Sequence, residues 1–232
     1  MFTKIYMPSR RDIFVNGNIY HIFNKTIDNI TVFNNIGIFN LFLELFKYYR
    51  LQKAVIRYSH FLKLNPEIKA TKEKKLANED FFKVNILAYC LMPNNFHLLL
   101  KQTLDEGIIR FVSDIINSLT RSFNLFHNRK GPLFLPQFRS RRIVSREQLI
   151  HVSRYIHLNP YSSKVVRKIE DLEKYRHSSL NEYFNKRKDN LCNTQIVLDE
   201  FVSDKDAYKK FVFNNADYQR NLEFLKHAEK WI

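Results

Sequence analysis

Glycine is scarce in this chain, at 4 of 232 residues. Neither GxGxxG nor GxxxxGK[ST] occurs, so the backbone loops that cradle nucleotide phosphates are missing. Cysteine is scarcer still. Cys90 and Cys192 stand far apart, in neither CxxC nor CxxH spacing, which excludes a disulfide framework and a zinc finger. No uncharged run reaches the roughly 18–20 residues that a membrane-spanning helix needs. The opening residues, MFTKIYMPSRRD, lack the apolar core of a secretory signal. The expected location is the cytoplasm of a prokaryotic cell, with no membrane partner.

Negative charge is the other shortage. From Ile115 to Arg146 there is no carboxylate, while Arg121, Arg129, Lys130, Arg139, Arg141, Arg142 and Arg146 supply seven positive charges. The whole chain carries a formal +15, and residues 1–189 hold 32 basic against 16 acidic side chains. A stretch of one sign that long repels itself unless a polyanion lies across it, so these seven residues are candidate nucleic-acid contacts, against the plainer reading of a solubilising surface. Phe123, Phe126, Phe134 and Phe138 interleave with them, either to stack on bases or, more simply, to fill a core.

Apolar material is plentiful: 45% of residues are hydrophobic, with 21 Phe and 12 Tyr, enough for a sizeable folded core. Ile19–Lys25 reads as a strand entered through a turn at Asn16-Gly17-Asn18. Apolar residues at helical spacing mark Phe33–Tyr49 as a helix. Residues 63–80 read as a charged connection. Phe82–Met92 and Phe96–Lys101 are apolar strands joined at Pro93-Asn94-Asn95. Ile108–His127 reads as a helix broken by Gly131-Pro132, Phe134–Ile143 as an extended basic segment, and Gln148–Leu158 as a helix stopped by Pro160. A last helix is expected over Tyr218–Lys230. The order predicts an α+β fold: a ferredoxin-like βαββαβ antiparallel sheet with helices on one face, plus a C-terminal helical extension.

Two short motifs carry candidate chemistry. In MPNNFHLLL (Met92–Leu100), strand alternation puts Asn95, His97 and Leu99 on one face and the apolar Phe96, Leu98 and Leu100 on the other. Taken alone, a strand histidine is ordinarily a hydrogen-bonded core residue. In RYIHLNP (Arg154–Pro160), Tyr155 and Asn159 are neighbours on one helix face, with His151 a turn earlier. Taken alone, Tyr155 packs in the core and Asn159 caps the helix.

The succession YHIFNK, AYCLMPNNFHLLL, GPLFLPQFRSRRI, RYIHLNPYSS and YRHSSLNEY, from about Gly17 to Tyr183, resembles the single-tyrosine HUH transposases of small insertion sequences. It lies nearest to the REP-associated tyrosine transposases. The resemblance implies a single-strand DNA-processing domain over residues 1–183 and a helical extension over 184–232. It makes Tyr155 the nucleophile in DNA transposition, cleaving and rejoining DNA through a 5′-phosphotyrosine. It puts a Mg²⁺ or Mn²⁺ on Asn95, His97 and Asn159, with single-stranded or hairpin DNA as partner and a homodimer among the assemblies to be expected. The family's His-hydrophobic-His pair falls on Asn95, Phe96 and His97, so the first ligand is changed. An amide oxygen suits hard ions, and weaker metal affinity is expected. His151 or His21 could substitute. The alternative is a weakened or domesticated hairpin-binding relative; a structured-RNA binder is a third reading.

Overall fold

Pro93 and Asn94 turn the chain between two apolar strands, β2 (Val84–Met92) and β3 (Asn95–Gln102), so that Met92 faces Asn95 across the hairpin. The turn is pinned from outside. Val32 and Phe33 donate backbone N–H groups to the Pro93 carbonyl, and Thr26 donates to that of Asn94. The computed structural model describes residues 13–75, 78–184 and 191–228. In it β1 (Ile19–Lys25) lies between β3 and β4 (Arg139–Ile143), all pairs antiparallel, in the order β2-β3-β1-β4.

Around this sheet run α1 (Ile36–Tyr49), α2 (Tyr58–Phe61), α3 (Pro66–Lys75), α4 (Gly107–Phe126), α5 (Arg146–Ser162), α6 (Leu180–Tyr183), α7 (Gln195–Leu198), α8 (Lys205–Phe213) and α9 (Ala216–Ala228). Asn35 caps α1 through its side chain, which accepts from the N–H groups of Gly37 and Ile38. Ser145 caps α5 by accepting from Gln148. Gly107, which opens α4, presses on the backbone just before β2: an added Cβ would overlap the Lys83 carbonyl oxygen, and only glycine fits.

Helices cover both faces, which corrects the expectation of one covered face. On the first, Tyr20, Ile22, Phe96, Leu98 and Leu100 join Phe39, Phe42 and Phe46 of α1 and Phe111, Ile115 and Leu119 of α4 in one buried cluster. On the second, Ala88, Cys90, Met92 and Leu99 pack against Leu149, Ile156 and Leu158 of α5. The α+β class and the strand alternation hold. The one-face expectation fails because α5 brings Leu149, Ile156 and Leu158 onto the second face, an apolar side wide enough to lie on a sheet.

Three further differences are local. Residues 66–75 form a helix, α3, within the expected connection. Only Arg139–Ile143 of the expected extended segment pairs as a strand. Pro160 does not stop α5, which continues to Ser162. Proline there removes the N–H that would bond the Ile156 carbonyl, and the helix runs on for only two more residues. Ser162 Oγ bonds the carbonyls of Leu158 and Asn159, and the Pro160 carbonyl accepts from Val166. The expected end of the last helix, Lys230, lies outside the described residues.

The C-terminal helices share the core of α5. Val197, Leu198, Tyr208, Val212 and Ala216 belong to the same buried cluster as Ile156 and Leu158. Buried His157 of α5 bonds Tyr208 Oη through Nδ1 at 2.8 Å and Ser179 Oγ through Nε2 at 2.9 Å. From α9, Gln219 donates to the Tyr155 carbonyl at 3.1 Å, and Tyr161 Oη donates to Asp217 at 2.7 Å. The position of α5 over the sheet is therefore set from behind by residues 195–220.

Candidate functional site

Where α5 leaves the sheet, the second face opens into a cleft of about 330 Å³ lined by His21, Phe23, His97, Arg141, Ile143, Gln148, Val152 and Tyr155. Its floor follows from strand register. Phe23 of β1 lies opposite His97 of β3 and Arg139 of β4, and His21 lies opposite Leu99 and Arg141. Directly opposed residues share a face, so His21, Phe23, His97, Arg139 and Arg141 look one way. Arg142, opposite Tyr20, looks the other way.

His21 Nε2 and His97 Nδ1 stand 3.0 Å apart. Phe23 stacks on His97, with ring centroids 5.7 Å apart and planes 16° apart. The Tyr155 ring stands edge-on to both imidazoles, 5.9 Å from His21 and 5.6 Å from His97. Burial lowers the His97 pKa to about 4. Burial, then His97 and then Arg141, hold His21 well below the ordinary histidine value. Both rings are therefore neutral at pH 7, and one donates a proton to the other. Among the described residues that line the cleft, Arg141 is the one with an ordinarily charged side chain.

The expected site residues are thus gathered in part. Tyr155 and His97 meet, and His21 joins them. Asn95 and Asn159 are not in the cleft wall. His151 turns away: its Nδ1 lies 2.8 Å from Arg154 and its ring packs against Phe211 of α8. Among the basic residues, Arg139 and Arg141 share the cleft face, and Lys130 is exposed beyond α4. Arg129 is occupied in closing the turn after α4, donating to Asn124, Gly131 and Pro132. Arg121 reaches Ser118 on α4, and Arg146 faces Glu200 at 3.7 Å. Phe123, Phe134 and Phe138 are core, whereas Phe126 is 72% exposed.

The donor chemistry fits a divalent ion. Two imidazoles meet in the cleft. Nearby in sequence, the Asn95 Oδ1 is buried without a hydrogen-bond partner, as is the Asn159 Nδ2. Asn159 Oδ1 accepts from Ser163 Oγ at 3.1 Å, and half a turn of the carboxamide would exchange its two ends. Among the described residues no group of three or more His, Cys, Asp or Glu gathers, so any ion there depends on neutral donors. His21 is the residue that sequence reasoning left open. Its signal was present in the odd position of YHIFNK, which strand alternation puts on the polar face once β1 is known to pair with β3.

No protein-family model matches the chain, and no curated protein does. A solved structure of a REP-associated tyrosine transposase bound to a REP hairpin does match, with a TM-score of 0.53 over 78% of this chain and 87% of the other. Identity is 11%, so the likeness is one of fold. Among the described residues no helix is long and apolar enough to cross a membrane.

Proposed function

We propose that this protein is a transposase-like enzyme that cuts and rejoins single-stranded or hairpin DNA, with Tyr155 as nucleophile. The observation that carries the reading is Tyr155 edge-on over a neutral histidine pair in an open cleft that also holds Arg141. The fold likeness to a hairpin-bound transposase agrees with it. So does the strand order β2-β3-β1-β4, which supports a ferredoxin-like βαββαβ unit.

In this reading DNA runs along the β4 edge, its phosphates against Arg139 and Arg141. The Tyr155 oxygen attacks the phosphorus; the Tyr155 O–P bond forms as the P–O3′ bond breaks. The phenolic proton leaves to solvent or to a neutral imidazole, and the departing 3′ oxygen takes up a proton. The product is a 5′-phosphotyrosine and a free 3′-hydroxyl, and attack by another 3′-hydroxyl reverses the step and joins strands. A bound Mg²⁺ or Mn²⁺ would supply charge stabilisation at the phosphate. His97, Asn95 and Asn159 are the ligand positions that the family resemblance implies. Arg141 holds the phosphate, Phe23 offers a stacking face to a base, and α9 steadies α5 through Gln219.

The test is incubation with single-stranded hairpin DNA and Mn²⁺, followed by a denaturing gel and mass spectrometry of the adduct. A DNA-linked peptide containing Tyr155 is expected. A hairpin-binding protein without cleavage is the second reading, favoured by Asn95 standing where the family has histidine and outside the cleft wall. Tight hairpin binding with no adduct under any divalent metal would select it.

A further inference from the structure

We infer that the cation site of this cleft is built across two strands, with His21 of β1 taking the place that Asn95 leaves empty beside His97. The inference rests on the function proposed above and names the ligands of that site.

A His-x-His pair on one strand brings two imidazoles to an ion from the same face. Here the second imidazole arrives from the neighbouring strand. His21 is a diagonal neighbour of His97 in the β1–β3 register, close enough for long side chains to meet. The two facing nitrogens are 3.0 Å apart. Two imidazole nitrogens, each about 2.1 Å from one ion and at about a right angle to each other, also stand about 3.0 Å apart. The contact now bridged by a shared proton therefore has the spacing of two ligands in neighbouring positions on one ion. Turning each ring by about 45° from the line between the two nitrogens aims both lone pairs at a common point. No other hydrogen bond among the described residues engages either ring; only ring packing against Phe23 and Tyr155 has to yield. Asn95, by contrast, spends its Nδ2 on Asn94 and takes no part in the cleft wall.

Two nitrogen donors and no carboxylate set the choice of ion. Imidazole suits Mn²⁺, Co²⁺ and Zn²⁺ better than Mg²⁺, which prefers oxygen. Arg141 repels a free cation, and a DNA phosphate between the two relieves that repulsion.

The test reads ion binding directly, with Mn²⁺ alone as probe. Isothermal titration gives the affinity, and electron spin-echo envelope modulation of bound Mn²⁺ counts the coordinating imidazole nitrogens. Wild-type protein is expected to show two. His21→Ala and His21→Gln, each confirmed folded by circular dichroism, are expected to show one nitrogen and to bind at least ten-fold more weakly. Asn95→Ala is expected to change affinity less than two-fold, and Mg²⁺ to bind at least ten-fold more weakly than Mn²⁺. Two nitrogens retained in both His21 variants, or a larger loss in Asn95→Ala than in His21→Ala, would overturn the assignment. So would wild-type protein that binds no Mn²⁺ at millimolar concentration yet still forms the Tyr155–DNA adduct in chelator; that outcome leaves the nucleophile standing. Two nitrogens that fall to one in the His21 variants, with no adduct from wild type, supports the ion site and removes the nuclease reading instead.

Discussion

The two faces of one sheet are built to different ends. On the first, Tyr20 and Ile22 of β1 and Phe96, Leu98 and Leu100 of β3 are buried under α1 and α4, with polar Asn24 and Gln102 only at the strand ends. On the second, β1 and β3 bring His21, Phe23 and His97 to a face that α5 covers fully only over β2. Strand alternation alone produces the contrast, since Tyr20 and Ile22 flank His21 and Phe96 and Leu98 flank His97. Packing residues and chemical residues are thus one position apart along each strand. The rigid first face fixes the strands that aim the second. The second face is itself divided: its β2 end is sealed by α5 and the C-terminal helices, and its β1–β4 end is open.

This division predicts where substitutions hurt stability. Phe46, fully buried between α1, β2 and α4, should cost about 3–5 kcal/mol when cut to alanine. Half-buried Phe23→Ala on the open face should cost less than about 1.5 kcal/mol while weakening hairpin DNA binding. Urea unfolding of both variants checks the pair, and equal losses would break the contrast between the faces.

A smaller effect separates the sealed from the open end. Burial lowers the pKa of His157 from 6.5 to about 3. Its unfolded form binds a proton below pH 6.5 and its folded form does not. The stability that neutral His157 allows is therefore complete above pH 6.5 and is lost as pH falls toward 3. Between pH 7.5 and pH 5 the loss from this residue is about 2 kcal/mol. His21 and His97 are shifted the same way and add to it. Denaturant titrations at both pH values should show a shallower acid loss in His157→Gln than in wild type. An identical pH slope would place the acid sensitivity at the open end.

The smallest effect concerns the edge strand. Removing Arg139 and Arg141 together should lower the salt slope of single-strand binding by about 1.4, or about 0.7 for each lost phosphate contact. Arg142→Ala, on the other face of β4, should change it less. A larger change from Arg142 would route the DNA over α1 and α4 instead.

Much of this was legible in the sequence. β1 was readable to its last residue as an apolar segment entered through the turn at Asn16-Gly17-Asn18. Asn95 and His97 were readable as one face, and the meeting of Tyr155 with His97 followed from the family resemblance, not from helix spacing. The covering of the second face was not, since α5 carries polar residues on most positions and its few apolar ones are shared between β2 and the C-terminal helices. His21 could not be joined to His97 either, because a diagonal pair across β1 and β3 depends on register. Nor could the hold of Gln219 on Tyr155, 64 residues away, which has no periodicity to reveal it.

The claim at the centre is that the open face carries out covalent chemistry through one hydroxyl. Wild type and Tyr155→Phe should be compared on the same hairpin oligonucleotide for covalent adduct on a denaturing gel and for affinity by fluorescence anisotropy. The substitution removes only the nucleophilic oxygen, and most affinity comes from phosphate contacts. The account predicts an adduct from wild type, none from Tyr155→Phe, and dissociation constants within about two-fold of each other. An adduct that persists in Tyr155→Phe would contradict it and move the nucleophile elsewhere in the molecule.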